Sequence, residues 1–268
     1  MAALIRRFPL LSFYGLAYAI TWTLAMPLLL ARRGFIEADP SELLEPVAAF
    51  GPFVSAMLIA RVLQGRAGPG QILASMKRWR VGTGWFLFAF LSPVFLLGLT
   101  LLVNGAAGGG ESANAARLTE LLSVAGLLDL ILVSAILQSW GEEPGWRGFA
   151  TPALRERFGP LAATLVLWPV WLCWHLPFFL SRPEFGWPQW IGFSVGILSA
   201  AIWLTLIWDK TRSVLMCFGW HAMVNICRGF ALALSSLAFL VISNLVLAGA
   251  LIIIAYWFWS GRQHRQAA

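Results

Sequence analysis

The residues of this sequence that could carry out chemistry are a few ionisable and amide side chains within apolar stretches. They occur in three short segments: GEEPGWRGF at 141–149, WLCWHLPFF at 171–179 and WHAMVNICRG at 220–229. Inside a bilayer an ionisable side chain costs about 2.5–3.5 kcal/mol even on the more lenient insertion scale, so each one needs a partner or a function. Carboxylates, imidazoles and a carboxamide are together the groups that catalyse hydrolysis by acid–base chemistry.

The first segment holds two adjacent glutamates followed by an arginine. On a helix, Glu143 and Arg147 are four residues apart and share a face, whereas Glu142 is rotated from Glu143 by about 100°. The two carboxylates are therefore expected to differ in role. Glu143 is predicted to form an ion pair with Arg147, and Glu142 to point into a cavity as a general base.

The other two segments supply the remaining polar groups. His221 and Asn225 are also four residues apart, so both side chains project from one helical face. An imidazole and a carboxamide can each donate an N–H to the oxyanion of a tetrahedral intermediate. His175 lies on a different apolar stretch, and it could help Glu142 to orient or activate a water molecule.

Structural roles are the alternative for each residue taken alone. A Glu–Arg pair is most often a salt bridge at a helix end. A single histidine within a membrane often bonds a neighbouring carbonyl group. The chain has only three histidines, and two of them lie in apolar stretches together with a double glutamate and an asparagine four residues from a histidine. Their joint occurrence favours a functional site.

These residues resemble the CAAX prenyl protease and bacteriocin-processing family of intramembrane proteases, also called the type II CAAX or Abi family. The family motifs EExxxR, FxxxH and HxxxN match in order at 142–147, 171–175 and 221–225. The one departure is Trp171, which occupies the phenylalanine position of the second motif. Each motif is weak alone, but the three in this order on separate apolar stretches are quite specific.

The resemblance implies an intramembrane endopeptidase acting on a membrane-associated or lipidated peptide or protein. Glu142 and His175 would activate the attacking water, and His221 with Asn225 would stabilise the oxyanion. Glu143, Arg147 and Trp171 would support them.

A metal-dependent mechanism is the alternative, because the family is often described as metalloprotease-like. If a metal such as zinc were bound, its ligands would be Glu142, His175 and His221. Asn225 is a poor zinc ligand but a good oxyanion donor, and the histidines are not in an HExxH arrangement. The sequence therefore favours a mechanism without a metal cofactor.

Two other functions remain possible from the residues. The chain could be a non-catalytic immunity or assembly factor of the membrane, or a proton-coupled transporter, since buried Glu, His and Arg also serve proton relays. No internal repeat of the kind common in transporters is visible.

The elements that must position these residues are membrane helices. The chain is 59% hydrophobic and 12% charged over 268 residues, with a mean hydropathy of +0.77. We predict an all-α integral membrane protein with one domain over 1–268 and the polar site between spans four, five and seven. The eight predicted spans are 8–30, 43–63, 84–104, 121–141, 161–180, 188–208, 213–233 and 236–259.

The basic residues indicate the topology. Despite a net charge of +7, they lie in short clusters between apolar runs, which argues against nucleic-acid binding. Fourteen lie on the side of the N-terminus and four on the opposite side. The positive-inside rule then places both termini in the cytoplasm, and the Ala-, Gly- and Trp-rich composition suggests a bacterial inner membrane.

Two further expectations concern depth and pairing. His175 would lie about 22 Å into a helix that begins at Pro160, whereas Glu142 appears at the end of span four. We therefore expect a submerged Glu142 carboxylate. Either the helices enter obliquely, or Pro144 and the 147–160 connection carry Glu142 inward while Pro169 bends span five. Arg228 and Asp129 are expected to form an ion pair in the outer half of the membrane.

Overall fold

The computed structural model describes residues 2–108, 115–182 and 184–266. Every regular element in these ranges is a helix, which confirms the all-α class. The helices are α1 Ala2–Arg7, α2 Pro9–Arg32, α3 Leu44–Gln64, α4 Ala67–Met76, α5 Thr83–Ala106, α6 Ala115–Leu122, α7 Val124–Arg155, α8 Pro160–Trp174, α9 Leu176–Leu180, α10 Trp187–Thr211, α11 Val214–Leu234 and α12 Ser236–Gln266.

Seven helices of the described ranges are long and apolar enough to cross a membrane, namely α2, α3, α5, α7, α10, α11 and α12. The fifth of the eight predicted spans is instead divided into α8 and α9, which meet at His175. Pro177 lies in the first turn of α9. It has no backbone N–H for the carbonyl group four residues earlier, which explains why α8 stops there. With 15 residues, α8 is about 22 Å long and shorter than the hydrocarbon core.

Helix α7 is longer than the sequence predicted. It continues through Glu142 to Arg155, with π-helical turns over Asp129–Leu137 and Trp146–Ala150. Glu142 is therefore about 20 Å from the Arg155 end of its helix, which nearly equals the distance of His175 from the start of α8. Glu142 lies deep in the membrane because α7 continues to Arg155 as one long helix. The chain therefore does not have to turn inward at Pro144. Arg147 is consequently a buried residue of α7 and not a loop charge.

Two glycines of α7 explain why the GEEPG sequence does not end the helix. A Cβ on Gly141 would lie 2.6 Å from the carbonyl oxygen of Ala49, and one on Gly145 would lie 2.5 Å from Cβ of Pro52. Both contacts are with α3. Gly141 and Gly145 thus form a small-xxx-small pair that allows α3 and α7 to pack backbone to backbone.

The remaining contacts complete the scaffold around this pair. Helix α2 packs on α3, α5 and α7 pack on α11, and α10 packs on both α8 and α12. Four tryptophans of α7, α8 and α11 have at most 1% of their surface exposed: Trp146, Trp171, Trp174 and Trp220. Each of them belongs to one of the three segments that carry the motifs, so these segments also supply part of the buried aromatic packing.

Candidate active site

A cavity of about 410 Å³ brings together the four residues predicted to do the chemistry. Glu142 from α7, His175 from the junction of α8 and α9, and His221 and Asn225 from α11 all line it. Glu142 is only 5% exposed and His221 only 8%. The three motifs, which are far apart in the sequence, therefore meet at one place.

Behind the cavity wall lies a buried cluster of charges centred on Glu143. Its Oε1 atom accepts hydrogen bonds from Arg147 Nη1 at 2.9 Å and from His221 Nδ1 at 2.8 Å. The Glu143 and Arg147 side chains are both completely buried. The contact with Arg147 is the pairing that the helical spacing predicted. The contact with His221 joins residues 78 positions apart, and no sequence pattern predicted it.

The bond to Glu143 fixes the role of each nitrogen in His221. Because Nδ1 donates to the carboxylate, Nε2 is the nitrogen left for the cavity. In a neutral ring this Nε2 can only accept a hydrogen bond, whereas in an imidazolium ring it donates one. In its imidazolium form His221 can therefore present an N–H to an oxyanion.

Trp171 connects all three motifs. Its indole Nε1 donates to Glu142 Oε2 at 2.6 Å, and its backbone carbonyl accepts from His175 Nδ1 at 2.7 Å. The Arg147 guanidinium carbon lies 4.2 Å from the centre of the indole, and the His221 ring stands edge to face with it at 5.8 Å. A phenylalanine, the family residue at this position, would make the ring contacts but could not donate to Glu142.

Both histidines bond a partner through Nδ1 and leave Nε2 for the cavity. His175 uses Nδ1 as a donor to a carbonyl oxygen. A neutral His175 therefore has a lone pair on Nε2, which can accept a hydrogen bond from water. The His175 ring is held between Trp174 and Phe193, with ring centres 4.7 and 5.1 Å away. The imidazole thus has a fixed orientation beside Glu142.

Asn225 differs from the expectation in one respect. Its Nδ2 donates to the backbone carbonyl of Ser134 in α7 at 3.3 Å. His221 and Asn225 face one cavity, but each is held by a different partner on α7. Only one of the two amide N–H groups of Asn225 is used by this bond, so the other can still serve a bound substrate.

The predicted ion pair between Arg228 and Asp129 is not formed. Asp129 is exposed on the outside of α7, and its Oδ2 atom accepts a bond from Ser134 Oγ at 3.4 Å. Arg228 instead lines the cavity. The sequence predicted both residues at a similar depth in the membrane. The π-helical turns over Asp129–Leu137 alter the rotation per residue, so a different side of α7 faces α11.

A metal site requires several ligating side chains close to one another. Across the ranges that the structure describes, no three side chains of His, Cys, Asp and Glu are grouped so that they could hold a metal ion. The three cysteines are free, and none of them lines the cavity.

Comparison with known families agrees with the geometry. Residues 124–227 match the model of the Rce1-like family, described as type II CAAX prenyl endopeptidase Rce1-like. This segment begins with the first residue of α7 and contains all three motifs. The resemblance to the CAAX-protease family that the motifs indicated is therefore confirmed over this segment.

A curated relative shows the same likeness. The chain is 28% identical over 104 residues to CAAX prenyl protease 2 of Methanococcus maripaludis. The matched part is 36% of this chain, and it spans only 38% of the length of the relative.

Proposed function

We propose that this chain is an intramembrane endopeptidase in which Glu142 activates the attacking water. The observation that supports this most directly is the position of Glu142. Its carboxylate is buried and faces a cavity that it shares with both membrane histidines and Asn225. Its Oε2 atom is held by the Trp171 indole, so Oε1 is available to take a proton.

The first half of the reaction is attack by water. Glu142 Oε1 accepts one proton of the water, and His175 Nε2 accepts a hydrogen bond from the other. The water oxygen then forms a bond to the carbonyl carbon of the substrate, and the carbonyl π electrons move to oxygen. His221 Nε2–H and the second amide N–H of Asn225 donate to this oxyanion.

The second half is collapse of the tetrahedral intermediate. The oxyanion re-forms the carbonyl group, and the C–N bond breaks. The proton held by Glu142 passes to the departing nitrogen, so the products are a carboxylic acid and an amine, and Glu142 is again ionised. Glu143 keeps His221 oriented throughout.

The reaction is proposed to need no metal. Glu142 Oε2 faces an indole N–H, a donor that a cation would have to displace. His221 is turned toward Glu143 by its Nδ1 bond. Asn225 is better suited to an oxyanion than to zinc. The residues present therefore fit an oxyanion site better than a His/His/Glu zinc centre.

The substrate is proposed to be a membrane-anchored, lipidated peptide or protein. The name of the curated relative points to a prenyl group. The cavity supports this, because one wall of it is aromatic and apolar, with Phe178, Phe179 and Phe193. We also propose a bacterial inner membrane with both termini in the cytoplasm, from the excess of Lys and Arg on that side.

The test is cleavage of a prenylated peptide by the purified full chain in nanodiscs. The peptide carries three residues after the lipidated cysteine, and cleavage is followed by mass spectrometry. Wild type is compared with Glu142→Gln and with Glu156→Gln, which changes an exposed glutamate of the same region. We expect cleavage by wild type and Glu156→Gln and none by Glu142→Gln. Equal cleavage by wild type and Glu142→Gln would remove the proposed base.

A chelator arm tests the absence of a metal. We expect the same rate before and after dialysis against 1,10-phenanthroline at about millimolar concentration, since every proposed step uses side chains alone. Loss of activity that zinc restores, and that buffer alone does not, would replace this mechanism with a metal-dependent one.

A further inference from the structure

Arg228 lines the cavity, as Arg182 does, and among the residues that the structure describes no carboxylate forms an ion pair with it. It lies on α11 seven residues after His221, on the same face as His221 and Asn225. Within the described ranges no carboxylate lies within 4 Å of its guanidinium group. Its Nε atom is buried without a hydrogen-bond partner. The nearest compensation is the ring of Phe239, whose centre lies 5.1 Å from Cζ.

The other arginines near the site are neutralised. Arg147 contacts Glu143 at 2.9 Å and does not line the cavity. Arg182 lines the cavity but contacts Glu45 at 2.7 Å. Arg228 is thus the cavity arginine whose charge is left for a ligand.

Other polar groups line the same cavity as Arg228. Ser243 and Asn244 of α12 line the same cavity, and Ser243 Oγ is buried with no hydrogen-bond partner. Gly196 of α10 leaves room beside the guanidinium group, because a Cβ there would lie 3.8 Å from Nη1. A fork of N–H donors that shares a cavity with an unused hydroxyl group is suited to an oxyacid anion.

The position of Arg228 relative to the catalytic groups suggests which anion. Seven residues of α11 separate it from His221, a rise of about 10 Å. An extended peptide covers this distance in about three residues. A peptide whose bond is cut beside His221 therefore reaches Arg228 with its end when about three residues follow that bond.

We propose that Arg228 binds the C-terminal carboxylate of the substrate, assisted by Ser243, and so fixes where the peptide is cut. This rests on the proposed endopeptidase function. The residue lies immediately beyond the segment that matches the family model, which ends at Cys227. The subsite gives the enzyme a preference for free C-termini, because an arginine binds a carboxylate in a bidentate manner and a carboxamide only weakly.

The experiment uses two forms of the prenylated peptide, one with a free C-terminal carboxylate and one with a carboxamide. For each protein the ratio of kcat/KM for the two peptides is measured. We expect wild type to favour the carboxylate by about tenfold or more. We expect Arg228→Gln and Arg228→Met to bring this ratio close to one, and Arg182→Gln to retain it. An equal rate for both peptides with wild type, or a ratio that survives in both Arg228 variants, would overturn the proposal.

A binding arm separates this inference from the proposed function. The affinity of each peptide for Glu142→Gln, alone and combined with Arg228→Gln, is measured in nanodiscs. A carboxylate preference that depends on Arg228 would support the subsite even if no cleavage occurred. Binding that ignores the carboxylate but changes when phosphatidylglycerol replaces a zwitterionic lipid would assign Arg228 to a lipid headgroup and contradict the proposal. Thermal unfolding of each Arg228 variant checks that it folds.

Discussion

The cluster around Glu143 and the cavity wall around Glu142 use adjacent carboxylates in opposite ways. Glu143 is fully buried and contacts two cationic or protonatable groups, Arg147 and His221. Glu142 accepts a hydrogen bond from one neutral group, the indole N–H of Trp171, and faces the cavity. The doubly bonded Glu143 carboxylate is therefore expected to position other groups, and the singly bonded Glu142 carboxylate to react as proposed. The following predictions test that division.

The largest effect is expected for the cavity carboxylate. Glu142→Gln is isosteric and keeps an oxygen for the Trp171 N–H, but it cannot take a proton from water. We expect kcat to fall by about 10³-fold, within the range for loss of a general base, with a melting temperature close to that of wild type. Single-turnover rates and thermal unfolding in the same detergent measure the two quantities. A large loss of stability in this variant would contradict the division.

The opposite result is expected for the neighbouring carboxylate. Glu143→Ala leaves the buried Arg147 charge without its carboxylate and releases His221. We expect a loss of about 3–5 kcal/mol in the free energy of unfolding, as for other broken buried pairs. Equilibrium unfolding in mixed micelles measures it. The double variant Glu143→Leu with Arg147→Met should recover part of this loss, and no recovery would argue against a charge effect.

A smaller effect should follow removal of the indole N–H that holds Glu142. Trp171→Phe restores the family residue and keeps an aromatic ring beneath Arg147. We expect kcat to fall about 10- to 100-fold with little change in KM, corresponding to one hydrogen bond to a charged group. Trp168→Phe is the matched control. Trp168 lies on the same helix as Trp171, and its indole donates to the carbonyl of Ser194 on α10 instead of to Glu142. Equal effects of both changes would indicate general damage to α8.

The smallest effect concerns the packing that brings the two carboxylates into place. Gly145→Ala adds a Cβ that meets the backbone of Pro52 on α3 at 2.6 Å. We expect a loss of about 1–3 kcal/mol, typical of overpacking, and a parallel loss of activity as α7 moves. Gly98→Ala on α5 is the control, since nothing lies within 4 Å of its Cβ position. A neutral Gly145→Ala would show that the approach of α3 and α7 is not tight.

Short-range spacing predicted part of this site well. The interval of four residues was sufficient for the Glu143–Arg147 contact, because helical geometry alone determines it. Apolar length identified the helices, and the polar residues within them identified the segments that converge. Helical class and the residues of the cavity could therefore be obtained from sequence.

Contacts across the fold could not be obtained in this way. The bond between Glu143 and His221 depends on how α7 and α11 pack, and no local pattern specifies it. The apolar run ends at residue 141, so apolar length alone ends the predicted fourth span there, whereas α7 continues to Arg155. The spacing of four between Gly141 and Gly145 is the pattern of close helix contacts in membranes, which apolar length does not detect. The family motif identifies Trp171 only as an aromatic residue in place of phenylalanine, although its indole also donates to Glu142.

The short helix α8 ties this site to the thickness of the membrane. His175 follows the fifteenth residue of α8, and Trp171 bonds both His175 and Glu142, so the reacting groups share one height above the start of that helix. For the proposed lipid-anchored substrate, we expect a thicker or thinner bilayer to change how close the anchored peptide comes to this height. Bilayer composition would then select among such substrates without altering a single contact in the protein.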